Sequence, residues 1–157
     1  MARRLSIASA ALILAGGYVH FCLYRHGYRF IPKIGVSFLL QAVSSVLLAV
    51  ALLLLRGGRR RLGRRSVALA QLTRLSGIGL SLGTLAALGI AHTPAGLFQF
   101  REIGLRPAPQ TLVAIVAEFL ATVLLGVALL EERSAMGRVA VTPAVVSPAR
   151  RAARDAA

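Results

Sequence analysis

The chain has 157 residues, 57% hydrophobic and only 15% charged, with a mean hydropathy of +0.73 and a net charge of +14. Soluble domains run at about 25% charged and roughly 45–50% apolar, so an ordinary soluble domain is excluded, and the apolar residues fall in long runs separated by arginine clusters. The basic residues, 18 Arg and a single Lys, flank those runs; membrane topology accounts for them, and no nucleic-acid partner is expected. Cys22 is the sole cysteine, which excludes an intrachain disulfide and a Cys-based metal site.

The first predicted element covers residues 5–24. Its start, MARRLSIASAALILAGG, has the basic and apolar regions of a secretory signal. The apolar stretch nevertheless continues through Tyr18, Val19, Phe21 and Leu23 to about 20 residues, the length of a membrane span, so a retained transmembrane helix is expected. The loop YRHGYRFIPK follows, with Tyr24, Tyr28 and Phe30 placed for an aromatic belt and Pro32 setting up the next helix. The second span is 34–55. After it, the loop RGGRRRLGRR is expected to anchor topology and to meet anionic lipid headgroups through Arg56, Arg59, Arg60, Arg61, Arg64 and Arg65.

The third span is 66–91 and the fourth 110–130. Between them, residues 92–109 carry Leu97, Phe98, Phe100, Ile103 and Leu105, more apolar surface than water favours; the segment is expected in the interface or as a cover over the bundle mouth. Residues 131–157 are rich in Ala, Arg, Pro and Val, with Pro143 and Pro148, and are expected to form a disordered tail. Backbone groups in lipid must be satisfied within each segment, so all four spans are helices and the fold class is an all-α integral membrane four-helix bundle.

The flanks that include both termini and the arginine loop hold 13 basic residues, and the two opposite loops hold five: Arg25, Arg29, Lys33, Arg101 and Arg106. The positive-inside rule then places both termini in the cytoplasm of a multi-pass plasma-membrane protein.

Each span carries a polar or small face at helical spacing: Ser6, Ser9, Gly16 and His20; Ser37, Gln41 and Ser44; Gln71, Arg74, Gly77, Ser81 and Thr84; Thr111, Ala114, Glu118, Thr122 and Gly126. Four such faces meet in one bundle core. Gly79 and Gly83 form a small-xxx-small pair, expected to pack internally or, failing that, to build a homodimer interface. At 1.5 Å per residue, Glu118, Gln41 and Thr84 all lie about 10–12 Å below the outer end, with His20 about 5 Å in. Arg74 enters from the other side and is expected to come within reach of Glu118. A carboxylate in hydrocarbon costs at least ~2.5–3.5 kcal/mol, so Glu118 must be paired, protonated or facing water. The binding candidates are therefore Glu118, His20, Gln41, Arg74, Thr84 and His92. Metal or haem ligation by His20 and His92 is a weaker alternative, since no two histidines have the spacing that preorganises a site. No hydrolase, nucleotide-binding or metalloprotease motif occurs, so neither catalytic residues nor a cofactor is expected.

The stretches GGYVHFCLYRHGYRFIPKIGVSFLLQAVSSVLLA and AGLFQFREIGLRPAPQTLVAIVAEFLATVLL resemble an uncharacterised family of small four-helix membrane proteins of actinobacteria. The matching elements are His20, the run Tyr28-Arg29-Phe30-Ile31-Pro32-Lys33-Ile34-Gly35, the loop around Phe98, Phe100 and Glu102, and Glu118. This resemblance implies the fold and no activity. A looser likeness, of size and helix count, is to DoxX-like proteins, and implies a redox or quinone-handling subunit.

The leading expectation is a non-enzymatic accessory subunit with a membrane partner. The alternatives are a quinone-handling subunit whose outer pocket uses His20, Gln41, Glu118 and His92 under a lid of Phe98 and Phe100, and a small proton-coupled transporter using Glu118.

Overall fold

The computed structural model describes residues 2–55 and 59–141. Four α-helices follow one another: α1 (Ala2–Arg25), α2 (Ile34–Leu54), α3 (Arg59–Ala91) and α4 (Gln110–Val141), with a 3-10 turn at Tyr28–Phe30. Each contains a stretch long and apolar enough to cross a membrane: Arg3–Arg25, Ile34–Leu54, Ser66–Ala91 and Gln110–Ser134. Among the described residues no β-strand forms beyond an isolated bridge between Leu97 and Phe100.

Successive helices are neighbours in the bundle, and α4 returns to pack along α1, closing a four-membered ring. The α1 contacts with α2 and α4 are extensive, whereas α2 and α3 meet least. Small residues dominate the interior. Ala49, Ala121, Leu125, Ala128, Ser9, Ser45 and Ser81 are completely buried, while Leu47, Leu54, Phe119 and Leu130 are exposed on the outer faces. Lipid tails are as apolar as leucine, so large side chains gain little by turning inward, and small ones let helices approach. A β-carbon on Gly17 would collide with Ser45 across the α1–α2 seam, and one on Gly77 would lie 2.7 Å from Leu125 Cδ1 across α3–α4.

The bundle has two unlike halves. The distal half is the end that carries the Tyr28–Phe30 turn and the 92–109 segment. The proximal half, toward the start of α1 and the far end of α4, is filled by Ala10, Ile13, Ala49, Leu52, Ala121 and Leu125. There Arg74, 4% exposed, is ion-paired with Glu132, and its Nη2 donates to Ser6 Oγ at 3.5 Å.

That pair corrects the expectation that Arg74 reaches Glu118. Helical side chains lean toward their own N-terminus. The N-terminus of α3 is proximal and that of α4 distal, so Arg74 and Glu118 lean apart. The acid that meets Arg74 lies in the part of α4 that the sequence assigns to a tail: among the described residues α4 continues past Leu130 to Val141. The structure also extends α3 back to Arg59. Residues 142–157 of the expected disordered tail and Arg56 lie outside the described residues, as do the side chains of Arg59, Arg60, Arg61, Arg64 and Arg65, on which the expected headgroup contacts depend.

Candidate functional site

The weak α2–α3 contact leaves a cavity of about 300 Å³ in the distal half, walled by all four helices and roofed by the 92–109 segment. Helical spacing presents its walls. His20 comes from α1, and Ile34, Ser37, Phe38 and Gln41 stand one turn apart on α2. Thr111, Ala114 and Glu118 do the same on α4, and α3 contributes Gly79, Gly83, Thr84 and Leu88.

Glu118 is the polar focus. It is 2% exposed, and its Oε1 accepts a hydrogen bond from Gln41 Nε2 at 2.9 Å. The close passage of α1 makes room for it: a β-carbon on Gly16 would stand 2.8 Å from that oxygen. One turn on, His20 Nδ1–H donates to the Gly16 carbonyl at 2.8 Å, which leaves its Nε2 as an acceptor. His20 also sets its ring edge against Phe38, with centroids 5.2 Å apart. Among the described residues Glu118 Oε2, Gln41 Oε1 and His20 Nε2 have no hydrogen-bond partner. The hydroxyls around them are committed elsewhere: Ser37 donates to Lys33 O, Thr84 to Leu80 O, Thr111 to Pro107 O and Tyr28 to Glu102 Oε1.

Aromatic rings form the distal cover. Tyr28 stacks on Phe38 at 4.9 Å and meets Phe100 edge-on at 5.9 Å, and its hydroxyl is 3.4 Å from Glu102 Oε1. Phe100 faces inward because the chain reverses just before it: Leu97 and Phe100 exchange both backbone hydrogen bonds, at 2.8 and 2.9 Å, around Phe98 and Gln99 with φ of 51° and 70°. Gly96 makes the turn possible. Its φ is +68°, and a β-carbon there would collide with the Phe100 carbonyl. Burial pushes the Glu102 carboxyl above its ordinary range, against the opposing pull of Tyr28 and His92. Burial and the Glu102 charge raise the Tyr28 phenol.

A second, more open recess of about 710 Å³ lies on the distal face, lined by Leu23, His26, Tyr28, Glu102, Arg106, Pro107 and Ala108. It shares Leu23, Tyr28 and Glu102 with the inner cavity, so the Tyr28–Glu102 hydrogen bond stands between the two.

Of the six candidates, Glu118, His20, Gln41 and Thr84 line the same cavity. Arg74 is in the proximal half, and His92 fixes the loop instead: its Nδ1 meets Leu88 O at 2.8 Å and its Nε2 meets Gly104 O at 2.9 Å. The lid expected of Phe98 and Phe100 is made by Phe100 with Tyr28; Phe98 is 55% exposed, with Lys33 Nζ 5.4 Å from its ring centroid. Tyr28 is thus part of the cover and not of an outer belt. On α2 the innermost serine is Ser45 and not Ser44. Gly79 and Gly83 do not pack internally: both are exposed, and nothing lies within 4 Å of a β-carbon built on either. They and the exposed Ser37 line the cavity where α2 and α3 diverge, so that wall opens sideways. Among the described residues no group of three His, Cys, Asp or Glu is placed to hold a metal ion.

The fold and site define a four-helix bundle, apolar enough to span a membrane, with a polar-floored cavity in one half. No family model matches the chain, and no curated protein or solved structure matches it either. The resemblances to the actinobacterial family and to DoxX-like proteins gain no support from these comparisons.

Proposed function

We propose that the protein is a multi-pass plasma-membrane protein, both termini cytoplasmic, whose distal half binds a small and mainly apolar molecule entering between α2 and α3. The observation that carries this reading is the cavity itself. Its 300 Å³ falls at the lower end of the size range of small-molecule sites, and its apolar walls end on a few convergent polar atoms, as such sites do. A buried carboxyl with an unpartnered oxygen is costly in lipid, and a ligand that meets it offsets that cost. The distribution of 13 basic residues against five supports the orientation.

This reading keeps the pocket of the quinone-handling expectation without naming a redox group, and gives the bundle a ligand of its own where the accessory-subunit expectation gives it a partner. The transporter expectation further requires a path through the proximal half, which Ile13, Leu52 and Leu125 fill. The test is solvent extraction and mass spectrometry of protein purified gently from its own membranes. A stoichiometric small molecule is expected from the native chain and none from Gly83→Leu, which puts a bulky side chain at the open wall of the cavity. If native protein carries no small molecule but a stoichiometric second subunit, the accessory-subunit reading takes its place.

A further inference from the structure

The chain carries 19 Lys and Arg against only five acidic residues, yet two of those five, Glu102 and Glu118, line the cavity and, among the described residues, no Lys or Arg does. The cationic candidate nearest in depth, Arg74, is taken by Glu132. The hydrogen-bonding inventory points the same way as the charge. The hydroxyls of Ser37, Thr84, Thr111 and Tyr28 already donate within the protein. On the buried polar side chains that line the cavity, the atoms left over among the described residues are acceptors, Glu118 Oε2, Gln41 Oε1 and His20 Nε2, apart from the second N–H of Gln41. Glu118, Gln41 and His20 are each more than nine-tenths buried. The wall between the two acids is aromatic, with Phe38, Tyr28 and Phe100 presenting ring faces and edges to the same space.

We infer that the occupant of the cavity is a lipophilic ammonium ion, its N–H groups on Glu118, Gln41 and His20 and its apolar body among Phe38, Tyr28 and Phe100. This rests on the pocket reading above and adds the charge of the ligand to it. An ammonium head supplies what the cavity lacks: several donors in one place and a positive charge beside an acid that no protein cation faces. Aromatic faces attract cations when water is excluded, and a buried acid is tolerated once paired. An anion or a neutral molecule rich in acceptors meets only lone pairs there.

The test compares two probes of the same shape, 3-phenylpropylammonium and its neutral counterpart butylbenzene, by equilibrium dialysis against protein in phosphatidylglycerol nanodiscs, with empty nanodiscs as the blank. The ammonium is expected to bind at least tenfold tighter, and Glu118→Gln to abolish that preference while butylbenzene still binds, which shows the variant folded. Glu102→Gln, on the loop, is expected to cut the preference about twofold. If the two probes bind equally, the ammonium inference falls and the apolar pocket stands; if neither binds, both fall. Phosphatidylethanolamine added to the nanodiscs separates two sources of the same chemistry. Competition assigns the site to a lipid headgroup, and its absence assigns it to a free amine.

Discussion

Gly16 of α1 and Glu118 of α4 are in direct register: the glycine has no side chain where the carboxyl lies, and a β-carbon there would come within 2.8 Å of Oε1 and 3.3 Å of Cδ. Gly16→Ala therefore displaces Glu118 or separates α1 from α4. Overpacking of this kind typically costs ~1–3 kcal/mol. A lower unfolding midpoint in detergent is expected, together with loss of the bound molecule, and an unchanged midpoint would show that the seam is looser than described.

The Gln41–Glu118 hydrogen bond joins residues 77 apart in sequence. Interhelical bonds in lipid average ~0.6 kcal/mol, while a buried acceptor stripped of its donor loses about 1–3 kcal/mol. Gln41→Leu is thus expected to destabilise more than Glu118→Gln, which keeps an acceptor in place. A double-mutant cycle in detergent denaturation measures the coupling, and a value near zero would argue against the bond.

Arg74 and Glu132 tie α3 to the last turns of α4. Arg74→Ala strands a carboxylate that is 24% exposed, and Glu132→Ala strands a guanidinium that is 5% exposed. Removing one partner of a buried pair costs ~3–5 kcal/mol, an upper bound here because Glu132 is partly open. Glu132→Ala is expected to be the worse of the two. Arg74→Met with Glu132→Leu should recover most of the loss, which thermal denaturation of all three variants checks.

The loop at 92–106 is expected to hold more firmly in acid. The Glu102 carboxyl is raised above 4.5 by burial and His92 above 6.5 by its bonds to Leu88 and Gly104. A group whose folded value exceeds its unfolded one favours the folded state below the unfolded value and loses that contribution as pH rises through the folded value. For His92 the cause is visible: both ring nitrogens face carbonyl oxygens, and only the imidazolium donates from both. Hydrogen exchange of this segment, corrected for intrinsic rates, should quicken above pH 4.5 and again above pH 6.5. The upper step should vanish in His92→Phe.

At Gly83 the space is open, so Gly83→Ala should raise stability by the ~1 kcal/mol that separates the two in helix propensity. The same substitution at Gly77, against Leu125 Cδ1, should lower it. The opposite signs, read in one denaturation series, check the α3 orientation that opens the cavity.

The four helices were legible because span length and apolarity are physical requirements of the solvent, and those signals do not depend on tertiary detail. Convergence of His20, Gln41, Thr84 and Glu118 on one cavity was legible too, from helical faces and depth together. Depth does not report direction, however, and so placed Arg74 beside Glu118 although the two side chains lean apart. Glu132 was hidden by its company: Glu131, Glu132 and Arg133 read as the polar start of a tail, and only the continued α4 brings one of them to Arg74. Phe98 and Phe100 carry the same sequence signal, and a two-residue turn with positive φ sends one outward and the other in. Gly79 and Gly83 promise close packing in any helix. Whether a neighbour arrives is a property of α2, which diverges there.

The shared wall of Leu23, Tyr28 and Glu102 joins the sideways opening to the recess on the distal face. Rotation of the Tyr28 ring would connect lipid to water without disturbing Arg74, Glu132 or the packed layer around Leu125. In the membrane orientation proposed above, traffic along that route would stay inside a single leaflet. A charged passenger would therefore cross only a fraction of the membrane potential, and its exchange would be governed by solvation at the surface more than by voltage.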